Sequence, residues 1–278
     1  MINWLIEPLG FEFMRHALLV GILLGILGAV VGSFMIVQQM SMMGDMISHA
    51  VMAGLPIAMF YGLPLPLGAV VAGVLSALLL STIEARSRLK VDSIMALVLA
   101  TFLALGTILV TILPGANRLD LIHVLFGNIL GVTVKDLYLT GTVTLAIVAL
   151  AWLFYKELVF YTFDPIGAKA AGLAVNWYYT GIVVAISLTV VANLQTVGVL
   201  LVIAMLVAPA MTAYLLVKEL HQMIFLGAIL GGIASTVGMY LSYYFNLPSG
   251  STIVLCAFGL FLVAFLFSPS QGLLTGKG

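Results

Sequence analysis

Charged residues are scarce in this chain: Asp, Glu, Lys and Arg make up 7% of its 278 residues, whereas a soluble domain contains roughly 25%. The ten basic and ten acidic residues balance, so no excess of positive charge is present to hold nucleic acid. Cysteine is almost absent as well, because Cys256 is the only one in the sequence. A single cysteine excludes both a disulfide framework and a thiolate metal site within one chain.

Apolar residues, in contrast, make up 63% of the sequence and form long runs. A helix needs about 20 predominantly apolar residues to cross a bilayer. The sequence therefore predicts an all-α integral membrane protein of one domain, 1–278, with about nine transmembrane helices in one bundle. The start of the chain lacks the basic region and cleavage site of a signal peptide, so we expect it to be retained. The predicted spans are 16–38, 45–61, 65–83, 92–112, 136–155, 177–193, 196–216, 223–245 and 250–267.

The distribution of Lys and Arg predicts the orientation of the bundle, because basic residues in short loops favour the cytoplasm. Seven of the ten fall on one side, including those of the 84–90 and 156–176 loops. This assignment places the N-terminus outside, the C-terminus inside and Asp45 near the cytoplasmic end of its helix. A deeper position is the alternative, which would apply if the helix begins before residue 45 or if the orientation is reversed. The segment 119–131 is amphipathic and too short to span, so we expect it at the outer surface.

Two ionisable side chains lie four residues apart in a long apolar region. Apart from one tyrosine, Asp45 and His49 are the ionisable residues between His16 and Glu84. Such residues are costly in a membrane and usually mark a function. On a helix they would lie on the same face, and a carboxylate with an imidazole is a ligand set for divalent first-row metals. Because two ligands do not complete a site, we expect a two-fold homodimer to bring a second pair.

Other interpretations of the polar residues are open. Asp45 also suits a helix start, in which case His49 would only hydrogen-bond within the bundle. Methionines around the pair suggest thioether ligands for Cu⁺, although adaptable core packing is the favoured interpretation. Asn193 and Gln195 are expected either to cap a helix break or to line the outer mouth. The other histidines are interpreted as surface or span-end residues. The methionines are Met40, Met42, Met43, Met46 and Met52, and the histidines are His16, His123 and His221.

Glycine and proline also carry information about packing. Glycines recur at four-residue spacing, which allows helices to approach closely, and the favoured interpretation is packing within one bundle. Pro209 lies inside a predicted span, where it predicts a kink and a freed carbonyl that needs a partner. The glycine pairs are Gly21 and Gly25, Gly28 and Gly32, and Gly227 and Gly231.

The longest loop on the cytoplasmic side contains a short helix signal. Asp164 followed by Pro165 is typical of a helix start, and Gly172 can end the helix after about two turns. The segment has few bulky apolar residues with which to lie on a membrane, so we expect it to dock against another protein. The closing GLLTGKG lacks the Ser or Thr and the strand of a phosphate-binding loop. Any nucleotide is therefore expected to act from another subunit.

Five segments together resemble a known family. GDMISHAVMAG, VDSIMALVLATFLALG, HVLFGNILG, FDPIGAKAAG and VGVLLVIAMLVAPAMTA occur in this order over nearly the whole chain. In this order they are similar to the membrane permease of the ABC importers for manganese, zinc and iron. The wording MSMMGDMISHAV is closer to the manganese branch.

The resemblance implies a multi-pass protein of the bacterial plasma membrane that is not itself an enzyme. It implies a permease homodimer, two cytosolic ATPase subunits and an extracytoplasmic metal-binding protein. The metal, Mn²⁺ or alternatively Zn²⁺ or Fe²⁺, would be transported cargo rather than a tightly bound cofactor. The acid and histidine of the family fall on Asp45 and His49. The coupling helix of the family, which fits a groove in the ATPase, falls on Phe163, Asp164, Pro165, Ala168 and Gly172.

Two functions of other classes are weighed against this one. A proton-coupled secondary metal transporter would use Asp45 and His49 as a proton relay and would need no ATPase. An intramembrane metal-dependent hydrolase is disfavoured, because the sequence lacks a HExxH helix.

Overall fold

The computed structural model describes residues 6–114, 127–268 and 272. Within these ranges the chain is helical, with short 3₁₀ turns at Glu7–Gly10 and Ile129–Gly131. Nine of the described helices are long and apolar enough to cross a membrane, and two short helices, α6 and α7, lie between the fifth and sixth spans. The helices are α1 (Glu12–Val37), α2 (Met43–Phe60), α3 (Leu65–Arg86), α4 (Val91–Ile112), α5 (Val134–Leu153), α6 (Tyr155–Phe163), α7 (Pro165–Ala170), α8 (Val175–Val197), α9 (Val199–Leu216), α10 (Leu220–Phe245) and α11 (Ser249–Phe267).

Each predicted span coincides with one of these nine helices, which confirms the fold class. The ends differ most at α1, which begins at Glu12 rather than at 16, and at α8, which continues to Val197 rather than ending at 193. Charged and amide side chains reach polar surroundings without ending the helix that carries them, so apolar runs underestimate helix length. Most of the segment 119–131 lies outside the described residues.

Helix α1 lies at the centre of the bundle, where it packs against α10, α9 and α5. Glycines make its closest approach possible: a Cβ on Gly25 would lie 2.8 Å from the carbonyl carbon of Gly231 in α10. Cβ atoms on Gly28 and Gly32 would collide with the carbonyl oxygens of Met205 and Leu206 in α9. The four-residue spacing of glycine therefore serves packing within one bundle, as the sequence indicated.

Two prolines interrupt the hydrogen bonding of α2 and α9, and a glycine of a neighbouring helix faces each gap. Pro209 has no N–H to donate to the carbonyl of Met205 four residues earlier, and this carbonyl is the one that lies against Gly28. Pro56 likewise has no N–H to donate to the carbonyl of Met52, and a Cβ on Gly106 of α4 would lie 2.8 Å from the Met52 oxygen. The freed carbonyls thus meet the Cα–H groups of closely packed backbone, a weak but favourable contact.

This arrangement predicts that Gly28→Ala destabilises the protein. The added methyl group would collide with a backbone carbonyl that cannot retreat, at a cost of about 1–3 kcal/mol. Gly232→Ala is the matched control, because a Cβ there would meet nothing within 4 Å. Thermal unfolding in detergent measures both, and equal melting temperatures for the two variants would contradict the proposed role of Gly28.

Candidate metal-transfer site and coupling helix

Asp45 and His49 lie one helical turn apart near the start of α2. Asp45 Oδ1 is 3.4 Å from His49 Nε2, so the predicted shared face is confirmed. The side chains are 33% and 23% exposed, respectively. Asp45 lies in the first helical turn, where the helix dipole favours a carboxylate. The helix begins at Met43, and its start has no side-chain cap, so Asp45 does not act as the N-cap.

The pair opens onto a groove of about 740 Å³ between α2, α9 and α11. Apart from the pair and Ser41, every lining side chain is apolar. Within the described part of the chain, Asp45 and His49 are therefore the ionisable groups that a cation in this groove would meet. The other lining residues are Met42, Val199, Leu200, Ile203, Ala204, Val207, Ala208, Met211, Phe258 and Phe261.

One ring nitrogen of His49 forms no hydrogen bond with the described residues. Its Nδ1 is buried and has no hydrogen-bond partner among the described residues, while Nε2 lies beside Asp45. A histidine kept only to hydrogen-bond within the bundle would be expected to pair a buried nitrogen. The described structure therefore gives the alternative of an internal hydrogen bond through Nδ1 no support.

The pair lies level with the middle of two neighbouring helices, α9 and α3, although Asp45 is in the first turn of α2; its position near the cytoplasmic end of the span stays a prediction. A Cβ on Gly44 would lie 3.6 Å from Leu206 Cδ1, and Leu206 is near the middle of α9. A Cβ on Gly73 of α3 would lie 3.1 Å from Ile47 Cγ2, and α3 continues from there to Arg86, a further rise of about 20 Å. Helix α2 thus begins beside the middle of α9 rather than beside its end.

The methionines near the pair are mostly packing residues. Met43, Met46 and Met52 are buried in the hydrophobic core, as the favoured interpretation held, whereas Met42 is exposed and lines the groove. Met211 of α9 also lines the groove, and sequence reasoning missed it. No cluster of three or more His, Cys, Asp or Glu occurs in the part of the chain that the structure describes. One chain thus contributes two such ligands to the groove.

The remaining polar candidates lie elsewhere. His16 is 3.9 Å from Glu12 and His221 is 3.2 Å from Glu219, and neither lines the groove. His123 and the side chain of Gln195 are outside the described residues. Asn193 neither caps a break nor lines an outer mouth: α8 continues past it, and its buried amide accepts a 3.0 Å hydrogen bond from Thr140 of α5.

The predicted short helix on the cytoplasmic side is present as α7. Asp164 caps it by accepting a 2.8 Å hydrogen bond from the N–H of Gly167, Pro165 is its first residue, and Gly172 ends the turn with φ of +88°. Ala168 is fully buried and fixes α7 to the bundle. Phe163 and Ile166 are 61% and 84% exposed. They form an apolar projection, and Ile166 is the part of it that the motif did not single out.

Helix α6 holds α7 in place. Tyr161 is buried, and its ring stacks on Tyr178 of α8 with centroids 6.3 Å apart. Burial, together with the nearby carboxylate of Glu84, raises the pKa of Tyr161 to about 12. Its phenol is therefore uncharged at neutral pH, which suits this partly apolar position between helices.

The described residues form a bundle of nine apolar spans with a short helix between two of them, which is the architecture of a polytopic transport permease. Residues 10–268 match the model of the ABC 3 transport family. The chain belongs to this family, and it is a multi-pass bacterial membrane protein.

Individual relatives cover the chain almost completely. The manganese transport system membrane protein MntC of Listeria monocytogenes is 42% identical over 96% of this chain and 95% of its own length. A probable iron transport system membrane protein of Haemophilus influenzae is 39% identical over 99% and 97%. The solved structure of PsaBC from Streptococcus pneumoniae in complex with Fab is similar with a TM-score of 0.86 and 42% identity, covering 98% of each chain.

Proposed function

We propose that this chain is the membrane-spanning permease domain of an ATP-driven importer of a divalent transition metal, with Mn²⁺ as the cargo. The observation that carries the proposal is the carboxylate–imidazole pair, which opens onto an otherwise apolar groove between membrane-spanning helices. The relative named for manganese transport supports Mn²⁺. The relative named for iron keeps Fe²⁺ as the alternative, with Zn²⁺, because carboxylate and imidazole alone do not select among these ions.

A homodimer would complete the site. The groove lies on the surface of the chain, where Leu200 and Phe258 are exposed, so a second copy can face it across a two-fold axis. Two pairs would supply two carboxylate oxygens and two imidazole nitrogens. The two Asp45 carboxylates would also balance the charge of a divalent ion, which matters because an uncompensated charge is costly away from water.

The energy for transport would come from a separate cytosolic subunit. ATP hydrolysis in that ATPase would be transmitted through α7, and the helices around the groove would then open alternately to the two sides of the membrane. An extracytoplasmic metal-binding protein would deliver the ion. The metal is transported cargo in this scheme, and the chain itself is not an enzyme.

Replacing either residue of the pair tests the metal site. Asp45→Ala and His49→Ala are each expected to lower ATP-dependent Mn²⁺ uptake by about 10- to 100-fold or more. Loss of a residue that only supports a metal ligand already lowers metal affinity or activity by this factor. Elemental analysis of cells with matched expression measures the uptake. His221→Ala, which removes an exposed histidine, should leave it unchanged. Normal uptake in both pair variants would refute the site.

The homodimer is tested by cross-linking in membranes. In a Cys256→Ala background, Leu200→Cys and Phe258→Cys are expected to give cross-linked dimers with a bifunctional thiol reagent, because the groove faces its copy. Leu145→Cys on α5 is the control, since Leu145 is also exposed but lies away from the groove. Dimers that form through Leu145→Cys and not through the groove variants would contradict this interface.

A charge on the apolar projection tests the coupling helix. Ile166→Asp is expected to abolish co-purification of the ATPase and metal uptake, because the carboxylate would have to be buried in the docking interface. Leu89→Asp changes an exposed leucine in another loop on the same side and should retain both. Continued uptake by Ile166→Asp without ATPase, driven by a proton gradient, would instead support the secondary transporter.

A further inference from the structure

A side-chain hydrogen bond joins the turn in front of the metal pair to the helix in front of the coupling helix. Gln38 Nε2 donates to Thr162 Oγ1 at 3.1 Å, between residues 124 positions apart in the sequence. Gln38 belongs to the turn that leads into α2, and Thr162 belongs to α6, next to the coupling helix. The bond therefore links the connection in front of the metal pair to the segment that would receive the ATPase.

The α6 side of this link moves with the coupling helix. Thr162 is two residues before Asp164, which caps α7, and the N–H of Asp164 donates to Phe160 of α6 at 2.9 Å. The N–H of Ala168 in turn donates to the Asp164 carbonyl at 2.9 Å. Helices α6 and α7 are thus joined by continuous backbone hydrogen bonds, so a displacement of α7 is passed to Thr162.

The other side of the link is a stiff turn. The N–H of Met40 donates to the Met35 carbonyl at 2.8 Å, and the N–H of Gln39 donates to Ile36 at 3.0 Å. These two bonds are the Schellman pattern that closes a helix end. Gln39 occupies its left-handed position with φ of +58°, although glycine is the usual residue there. A turn that holds a non-glycine residue in this conformation is determined by its surroundings.

The same turn is hydrogen-bonded directly to the start of helix α2. The N–H of Met43 donates to the Met40 carbonyl at 2.9 Å, and the N–H of Met46 donates to Met42 at 3.0 Å. Asp45 lies between these two donors, and Met42 lines the groove. A shift of Gln38 is therefore carried through this hydrogen-bonded turn to the first turn of α2, which contains Asp45.

We propose that Gln38 and Thr162 are positioning residues that transmit movement of the coupling helix to the Asp45–His49 pair, so that ATP hydrolysis is converted into opening of the metal site. The proposal rests on the proposed function of the pair and of α7. It adds a route between them that bypasses the long spans. The route is short because the turn in front of α2 contacts α6 directly.

The test separates coupling from stability by measuring two activities of the complete complex in proteoliposomes. Thr162→Val keeps the shape of the side chain and removes the hydroxyl acceptor, and Gln38→Leu removes the donor from the other side. Each variant is expected to retain ATP hydrolysis while the Mn²⁺ transported per ATP falls about 5-fold, the factor that one net hydrogen bond typically represents. The double variant should be no worse than either single variant, because all three lack the same bond.

Two controls accompany these variants. Thr162→Ser keeps the hydroxyl and should restore the wild-type ratio of transport to hydrolysis. Thr180→Val also removes a threonine hydroxyl, but this one is exposed and donates only to the Asn176 carbonyl of its own helix. It should leave the ratio unchanged.

The outcomes separate this inference from the proposed function. A wild-type ratio in both Thr162→Val and Gln38→Leu, with Asp45→Ala inactive, would overturn the link and leave the metal site intact. A proportional loss of hydrolysis and uptake would assign the bond a structural role and would also overturn the link. If Thr162→Val fails to assemble with the ATPase, Gln38→Leu decides, because Gln38 lies outside the coupling segment. Normal uptake in Asp45→Ala and His49→Ala would remove the proposed function itself.

Discussion

In a bilayer every backbone polar group must find its partner within the protein, and two of the three helices that line the groove, α2 and α9, each break this rule once. Pro56 and Pro209 leave the carbonyls of Met52 and Met205 without their usual donors. Glycines on α4 and α1 then bring neighbouring backbone against these carbonyls. The positions of α2, which carries the pair, and of α9 depend on these two close contacts. Glycine at 28 and 106 is consequently part of how the site is built.

The groove that results has an unusual balance of polarity. Its walls are apolar, and its ionisable groups are one carboxylate and one imidazole separated by one helical turn. A single chain thus offers half of a coordination shell, at a place where an unaccompanied charge would be costly. This combination explains why the proposal requires two copies of the chain. We therefore expect metal binding to depend on dimerisation of the permease.

Much of this arrangement could be predicted from the sequence because its signals are local. The spans follow from apolar runs, the shared face of Asp45 and His49 from four-residue spacing, and the start of α7 from Asp164 and Pro165. The level of the pair relative to α3 and α9 could not be predicted, since it depends on how these helices pack against α2. The bonds of Asn193 with Thr140 and of Gln38 with Thr162 were missed for a similar reason. Each joins residues far apart in the chain, and no periodicity marks them.

The position of the pair between the ends of the spanning helices also affects the electrical work of moving the ion. Moving one elementary charge across a membrane is worth about 2.3 kcal/mol per 100 mV, and a divalent ion doubles this. A cation held by the pair, between the ends of the spanning helices, would have crossed part of that voltage drop, so a negative cell interior would pull it both into the site and onward from it. ATP would then be needed less to push the ion inward than to loosen its ligands and restore the outward-open shape.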